Sequence, residues 1–401
     1  MSSASHRVLA INAGSSTLRF ALFDVGTPPR AILRGKIERI GTPNTRWAVT
    51  DLETPSHDDH PIEAATPESA ANYLLDWLNQ NAMFGTVDVV SHRVVHGLQR
   101  SAPERVTPQL LDELRGLIAL DPEHLPFEIA LMTAVWERHP ALPQLACFDT
   151  TFHRDMPAVA KRLPIPRRYH AMGIERYGFH GLSYAFLLAE LVRLGDPAAT
   201  SGRVILAHLG SGASLAAVRN GIGIDTSMGF TPASGIMMST RSGDLDPGLG
   251  HYLEKRHNLD STQFVDMVSH GSGLLGVSES SSDMRDLLSH EDSDERAAEA
   301  IAMFCYQVRK CIGAYAAALG GLDTLVFAGG IGENAPPIRE RICRELGFLG
   351  IELDGTANAR SAPLLSSAAS RAAVRVIRTD EELMLAQLAL ATHTRKESLP
   401  P

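Results

Sequence analysis

Apolar positions along this chain come in two kinds, short continuous runs and sets spaced three and four apart, and the two kinds alternate. The apolar residues of Val8–Ile11 and of Leu18–Phe23, where Arg19 is the exception, flank Asn12-Ala-Gly-Ser-Ser16, which predicts an apolar strand, a tight turn and a second apolar strand. Val204–Asn220 repeats the design, with Gly210-Ser-Gly212 between two apolar runs. Residues 67–81 read as a helix, with apolar positions at Ala71, Leu74, Leu75 and Leu78. Residues 87–95 read as a buried strand carrying Ser91-His-Arg93. Thr107 reads as the cap of a helix that begins at Pro108.

Residues 144–149 predict a strand that ends on an acid, and residues 181–194 a helix after Tyr177-Gly-Phe-His180. The longest helix is expected over 295–319, stopped by Gly320-Gly321. Residues 325–332 read as a strand running into a glycine-rich turn, with a new helix from Pro336-Pro337, and 374–377 as a late strand. The Pro-, Asp- and Thr-rich stretch 42–67 reads as a surface excursion, and the tail after Thr394 as a frayed end. Strands alternating with helices predict an α/β protein. The boundary between its halves is expected near residues 149–156.

The doubled hairpin gives this pattern chemical meaning. Small turn residues let backbone N–H groups approach an anion, and the Ser15, Ser16 and Thr17 hydroxyls add donors. One such turn is usually only a hairpin. Two in one chain suggest related halves that grip phosphates from opposite sides.

With 401 residues, 44% hydrophobic and 21% charged, the chain is long enough for two domains with full cores. A net charge of −9 and no basic patch argue against a nucleic-acid partner. An anionic substrate therefore needs local arginines. Cys147, Cys305, Cys311 and Cys343 form no CxxC pair and read as reduced core thiols. The chain runs from Met1 almost directly into a strand, so no signal peptide is expected, and no apolar run is long enough to span a bilayer.

Several residues stand out against the structural background. Arg241, in Met237-Met-Ser-Thr-Arg-Ser-Gly-Asp-Leu-Asp-Pro-Gly248, reads as a guanidinium presented by a loop. Arg93, at the end of an apolar strand, needs a carboxylate or phosphate partner. A structural ion pair is the alternative for each. Asp149 ends a strand, where α/β sites lie, and reads either as a Mg²⁺ organiser or as an N-cap. His180 precedes a glycine at a strand-to-helix turn, and a lone histidine is more often a hydrogen-bonded structural residue; without HExxH or Cys/His pairs, zinc is not expected. Thr379 and Glu382 fit a capping box, which leaves Glu381 as the metal-carboxylate candidate. Ala328-Gly-Gly-Ile-Gly-Glu-Asn334 matches neither the P-loop nor the dinucleotide fingerprint, yet such a turn can admit an adenosine.

Taken together, these segments resemble the acetate kinase family over nearly the whole chain and in order. They are Asn12-Ala-Gly-Ser-Ser16, Ser91-His-Arg-Val-Val-His-Gly97, Phe148-Asp-Thr-Thr-Phe-His153, Arg176-Tyr-Gly-Phe-His-Gly181, Asp225-Thr-Ser-Met-Gly-Phe-Thr-Pro232, Thr240-Arg-Ser-Gly-Asp-Leu-Asp-Pro247, Gly330-Ile-Gly-Glu-Asn334 and Thr379-Asp-Glu-Glu-Leu383. The resemblance implies the fold of actin, sugar kinases and heat-shock ATPases: two ribonuclease-H-like α/β domains related by duplication, with the active site in a cleft between them. Residues 1–149 are then the acyl and phosphate domain, joined by a returning final helix, 383–401, and residues 150–382 the nucleotide domain.

The resemblance also implies reversible phosphoryl transfer between ATP and acetate, giving ADP and acetyl phosphate, by direct in-line displacement. Arg93 would bind the carboxylate, with Val95, Phe179 and Pro232 walling the acyl group. Arg241 and His180 would stabilise the transferring phosphoryl. Asn12, Asp149 and Glu381 would organise Mg²⁺, with Mn²⁺ as an alternative. Arg19, where the family usually has Lys, would reach ATP. His208, Leu209, Gly210, Ser211, Gly212, Asp283, Met284, Arg285, Gly330, Ile331, Gly332, Glu333 and Asn334 would line the nucleotide site. A homodimer in the cytoplasm is implied, with neither nucleic acid nor membrane as partner.

Departures from the family pattern bear on the acceptor. Glu123-His-Leu-Pro126 stands where the family usually has an apolar residue and His-Asn-Pro, so a carboxyl borders the expected methyl pocket. Ser211 replaces an Asn, and Leu98 and Glu279 each replace a Gly. A propionate or other short-acyl kinase is the near alternative. A chaperone-like ATPase, or a degenerate member that binds nucleotide without turnover, is the alternative of another class.

Overall fold

The computed structural model describes residues 7–14, 16–26 and 28–397, with side chains to residue 392. Ser15, one of the three expected turn donors, and the end of the tail lie outside the described residues. Two compact units emerge. The first takes the described residues of Met1–Arg154 and Asp380–Pro401, with Gly181–Phe186; the second takes Asp155–His180 and Leu187–Thr379. Residues 150–154 and 181–186 thus belong to the first unit, not to the second as the expected boundary at 149 had it, and the last segment of that unit begins at Asp380.

The first unit is built on an eight-stranded sheet ordered β5-β4-β3-β2-β1-β6-β8-β7. Its strands are β1 Arg7–Ala13, β2 Thr17–Asp24, β3 Arg30–Glu38, β4 Arg46–Asp51, β5 Ser56–Pro61, β6 Val89–Val94, β7 Glu104–Arg105 and β8 Gln144–Phe148. β1 and β2 pair antiparallel across the expected turn, with Asn12 opposite Arg19, and Gly14 N–H donates to Thr17 O at 2.7 Å. β6 and β8 run parallel to β1, and nearly every residue of both is buried, because both faces are covered. One face packs on the helices Pro67–Gln80 and Leu125–Arg138. The other packs on the helix Glu381–Glu397 through Leu385, Ala386 and Ala389.

The stretch 42–67 is not an excursion. It supplies β4 and β5, and Trp47 is wholly buried, stacked on Phe20 at 5.3 Å and edge-on to Tyr73 at 5.2 Å. β5 is the sheet's outer strand and reads Ser-His-Asp-Asp-His-Pro, almost all exposed. Charge on an edge strand blocks further pairing, and it also makes the strand look like loop.

The second unit carries a five-stranded sheet ordered β11-β10-β9-β12-β13: β9 Arg203–Leu209, β10 Ala213–Arg219, β11 Ile222–Thr226, β12 Thr324–Ala328 and β13 Ala373–Val376. β9, β10 and β11 pair antiparallel, while β12 and β13 run parallel to β9. The first unit has the same arrangement in β3-β2-β1-β6-β8, so the chain is an α/β protein with a repeated sheet. The helix Glu295–Leu319 is capped by Asp294 and stopped by Gly320 at φ 74°.

Two local expectations are corrected. Gly329–Asn334 is not an open turn but a six-residue helix, entered through Gly329 at φ 77°. A Cβ there would come within 2.8 Å of the Leu209 backbone, so only glycine fits. The last helix is not capped by a Thr379/Glu382 box. Asp380 caps it, its Oδ1 accepting from Leu383 N–H at 2.9 Å, and Glu382 turns inward instead.

Candidate active site

In the first unit the site grows from the carboxyl ends of three neighbouring strands, the usual place for ligands in an α/β sheet. Asn12 lies near the end of β1, Arg93 near the end of β6, and Asp149 directly after β8. Arg93 donates to Asp149 Oδ2 from Nε at 3.2 Å and from Nη2 at 2.7 Å, and to Asn12 Oδ1 from Nη1 at 3.3 Å. Asp149 is fully buried, and its Oδ1 accepts from Leu182 N–H at 3.4 Å. Gly181 makes this approach possible, since a Cβ there would lie 1.8 Å from Asp149 O.

Glu381 and Glu382 arrive on the first turn of the last helix. Asn12 Nδ2 donates to Glu381 Oε2 at 2.8 Å and to Glu382 Oε1 at 3.1 Å. The Asn12 amide is thus fully oriented, oxygen to the guanidinium and nitrogen to the two carboxylates. Asp380 beside them is gripped by Arg34 through both terminal nitrogens. Burial, reinforced by Glu381, lifts the Glu382 carboxyl above its ordinary value. Burial likewise lifts Asp149 against the pull of Arg93. Burial would lower Arg93, but the charges of Asp149 and Glu381 outweigh it and hold the guanidinium above its usual range.

Among the described residues no three His, Cys, Asp or Glu side chains are grouped to hold a metal by themselves. Mg²⁺ asks for less: one or two carboxylates, with water and phosphate oxygens completing the shell. Around Arg93 the carboxylates of Asp149 and Glu381 outnumber the guanidinium, so a divalent cation suits the donor set. Asn12, the other residue expected at the metal, has its oxygen on Arg93 and its nitrogen on Glu381 and Glu382.

Glu128 was not singled out in the sequence. It lies on the helix Leu125–Arg138 at a core position, and both its oxygens accept from Val95 N–H, at 3.2 and 3.1 Å. Burial raises its carboxyl well above the ordinary range. An acid inside the apolar set 125, 127, 129, 131, 132 was the available signal. Val95 itself is buried, and Arg19 is exposed on β2. Glu123, whose carboxyl threatened the acyl pocket, is only half-buried. The positions of Leu98 and Glu279 explain the glycines of the family pattern: both have positive φ, 52° and 55°.

In the second unit, His180 ends its segment at φ 57° and points Nδ1 at Ser214 Oγ on β10, 2.8 Å away. Its ring stacks on His208 of β9 at 4.3 Å. Gly212 lies against both His180 and Arg241: a Cβ there would meet His180 Nε2 at 3.3 Å and Arg241 Nη1 at 3.8 Å. Arg241 Nη1 donates to Pro232 O at 3.4 Å. His180, His208, Gly212, Pro232 and Arg241 therefore share one place, and Phe179 is buried next to His180 in sequence.

The His208–Gly212 turn is fixed by Gly210 N–H to Gly212 O at 3.1 Å and by Ser239 N–H to Ser211 O at 3.1 Å. A Cβ on Gly210 would stand 3.8 Å from Gly330 N, so the helix carrying Gly330, Ile331, Gly332, Glu333 and Asn334 starts beside the turn. Asp283 caps the helix Met284–His290 and pairs with the side chain of exposed Arg285, with Met284 buried between them. Arg339, fully buried, binds no carboxylate among the described residues. It donates to Gly332 O, Glu333 O, Asn358 Oδ1, Asn358 O and Ser361 Oγ.

Comparison with known proteins follows the same lines. The profile of the Acetokinase family matches residues 7–387. An acetate kinase of Rhodopseudomonas palustris is 41% identical over 387 residues, covering 95% of this chain and 96% of the relative. A propionate kinase of Citrobacter rodentium is 40% identical over 390 residues, covering 96% of each. Among solved structures, a propionate kinase from Francisella tularensis superposes with a TM-score of 0.88 at 35% identity, covering 96% of this chain and 98% of that one. An acetate kinase from Porphyromonas gingivalis gives 0.85 at 33% identity, covering 96% and 99%.

Proposed function

The chain belongs to the acetokinase family, and from that premise we propose that it transfers a phosphoryl group reversibly between ATP and acetate, giving ADP and acetyl phosphate. The observation that carries the reading is Arg93: a nearly buried guanidinium, held from two sides by Asp149 and Asn12 at the strand ends. A carboxylate acceptor needs such a cation. It needs no general base, because carboxyl groups with pKa near ~4 are already ionised at neutral pH. Asp149, saturated by Arg93 and Leu182 N–H, is suited to orienting the guanidinium, not to taking a proton.

A carboxylate oxygen bonds to the γ-phosphorus as the bond to the β-γ bridging oxygen breaks, and that electron pair leaves with ADP. Charge spreads over the equatorial oxygens, so catalysis rests on positioning and cationic stabilisation. Arg241 and His180 are the groups for this task. Ser214 fixes the ring of His180, and His208 supports its face. Bound Mg²⁺ would neutralise phosphate charge, held by Glu381 with Asp149 behind it. The nucleotide is assigned to His208–Gly212, Asp283–Arg285 and Gly330–Asn334. Val95, Phe179 and Pro232 are assigned to the acyl group. A cytoplasmic homodimer is part of the same proposal, and sedimentation tests its second half.

A second reading, transfer to propionate, is favoured by the propionate kinases that match at 40% and 35% identity. Acyl phosphate trapped as the hydroxamate, with acetate, propionate and butyrate in parallel, separates the two. Acetate as best acceptor supports the first reading, and a longer acid as sole acceptor replaces it with the second. No product from any acid overturns both.

A further inference from the structure

Glu333 was expected to line the nucleotide site, yet its carboxylate is engaged elsewhere. Oε1 accepts from Gly329 N–H at 2.9 Å and from Thr379 N–H at 3.2 Å. The first bond closes the entry of the helix Gly329–Asn334. The second holds the last residue of the second unit, where the chain crosses into the first. Two residues further on stands Glu381.

Both ends of this link are stiff. Gly329 is fixed against the Leu209 backbone, where no side chain fits. The carbonyl of Glu333 is held by buried Arg339 at 3.0 Å, so its side chain leaves from an immobile base. Beyond Thr379, Asp380 caps the last helix through Leu383 N–H and is gripped by Arg34. A displacement of Gly329 N–H changes the geometry at the same oxygen that holds Thr379.

We propose that Glu333 is a positioning residue that passes nucleotide occupancy of the Gly329–Asn334 helix to residues 379–381, and so sets the placement of Glu381. This rests on the phosphotransfer reading, which puts nucleotide beside Gly330. Glu333 touches neither reacting atom, and its role is to make the approach to Glu381 firm only when the nucleotide helix is firm.

Hydrogen exchange with mass spectrometry tests this without turnover. Metal-free ADP is the probe, and its binding is measured by calorimetry on the same samples. In the wild-type protein ADP slows exchange in the peptide 376–383, within the about 5- to 150-fold range usual for coupled sites. In Glu333→Ala, compared at ADP concentrations raised until the calorimetry shows the variant saturated, that peptide exchanges at one rate with or without ADP. Glu333→Gln keeps an acceptor oxygen and restores the ADP-dependent slowing. Wild-type protein that binds ADP without protecting 376–383 overturns the inference alone, as does Glu333→Ala with protection equal to wild type. Wild-type protein that binds no ADP overturns the phosphotransfer reading, and this inference with it. Should Glu333→Ala fail to fold, the wild-type and Glu333→Gln arms still decide.

Discussion

Arg93 and Asp149 meet through a single carboxylate oxygen: two guanidinium nitrogens, at 3.2 and 2.7 Å, converge on Asp149 Oδ2, while Oδ1 faces the N–H of Leu182. A side-on grip of this kind fixes the plane of the guanidinium. It also favours the ionised form of a fully buried carboxylate, against the burial that raises it.

Replacement Asp149→Asn therefore removes charge while keeping shape. We expect kcat to fall by about 100-fold or more. The pH dependence of the residual rate between about 6 and 8 should match wild type, because Asp149 takes no proton from an acceptor whose pKa is near ~4. A new ionisation limb in the variant would return Asp149 to a proton-transfer role. Arg93→Ala has a different signature: it strands Asp149 in the core and costs about 3–5 kcal/mol of stability, measured by denaturant titration.

Asn12 offers a test of the metal assignment. Its amide nitrogen holds Glu381 and Glu382 together, two carboxylates that repel each other. Asn12→Ala releases both. The Mg²⁺ concentration at half-maximal rate should rise severalfold while the KM for acetate moves less, and stability should fall by about 1–3 kcal/mol for the unsatisfied buried groups. An unchanged Mg²⁺ requirement would detach Glu381 from the metal.

The sequence made the sheets and most helices legible because their signals are local. Leu325–Ala328 is an unbroken apolar run, Thr107-Pro108 is a cap, and Gly320 stops a helix of 25 residues. Arg93, Asp149, His180 and Arg241 could be picked out because charge beside small or apolar residues is conspicuous. What stayed hidden depends on partners far away in sequence. Trp47 looked like part of a loop because its strand is completed only by neighbours on the sheet, and β5 carries edge-strand charges. Glu382 fitted a capping box with Thr379, but Asn12, 370 residues earlier, draws it inward, and Asp380 takes the cap. Arg339 gave no signal at all: its partners are carbonyl, amide and hydroxyl oxygens, which every sequence has in plenty.

Glu279 tests the cost of an L-residue in the left-handed region. At φ 55° it ends the helix Gly273–Ser278, and its exposed carboxylate pairs with Arg296. The pair obscures the strain, so the clean comparison uses an Arg296→Ala background. There Glu279→Gly should raise the unfolding free energy by about 1 kcal/mol, the usual penalty of a side chain in this conformation. Calorimetric melting of the two variants gives the answer, and equal or lower stability for the glycine form would mean that the backbone there is relaxed.

His92 makes stability depend on acid. It lies on β6 next to Arg93, only 1% exposed, with Nε2 bonded to Gln144 Oε1 at 2.8 Å. Among the described residues Nδ1 has no hydrogen-bond partner, so a second ring proton would be buried without an acceptor. Burial pushes the imidazole down to about 4, with the Gln144 bond opposing it only in part. The folded pKa is thus below the unfolded value near ~6.5. The neutral ring's contribution is fully present above the unfolded value and is lost as pH falls through the folded one. Between neutrality and pH 4 this single group should remove about 3 kcal/mol of stability. Urea titrations at steps across that window, on wild type and on His92→Gln, isolate the contribution. The difference in unfolding free energy between the two proteins should shift by that amount from pH 7 to pH 4. A difference that stays constant with pH would show that the ring is protonated in the fold or solvated before unfolding.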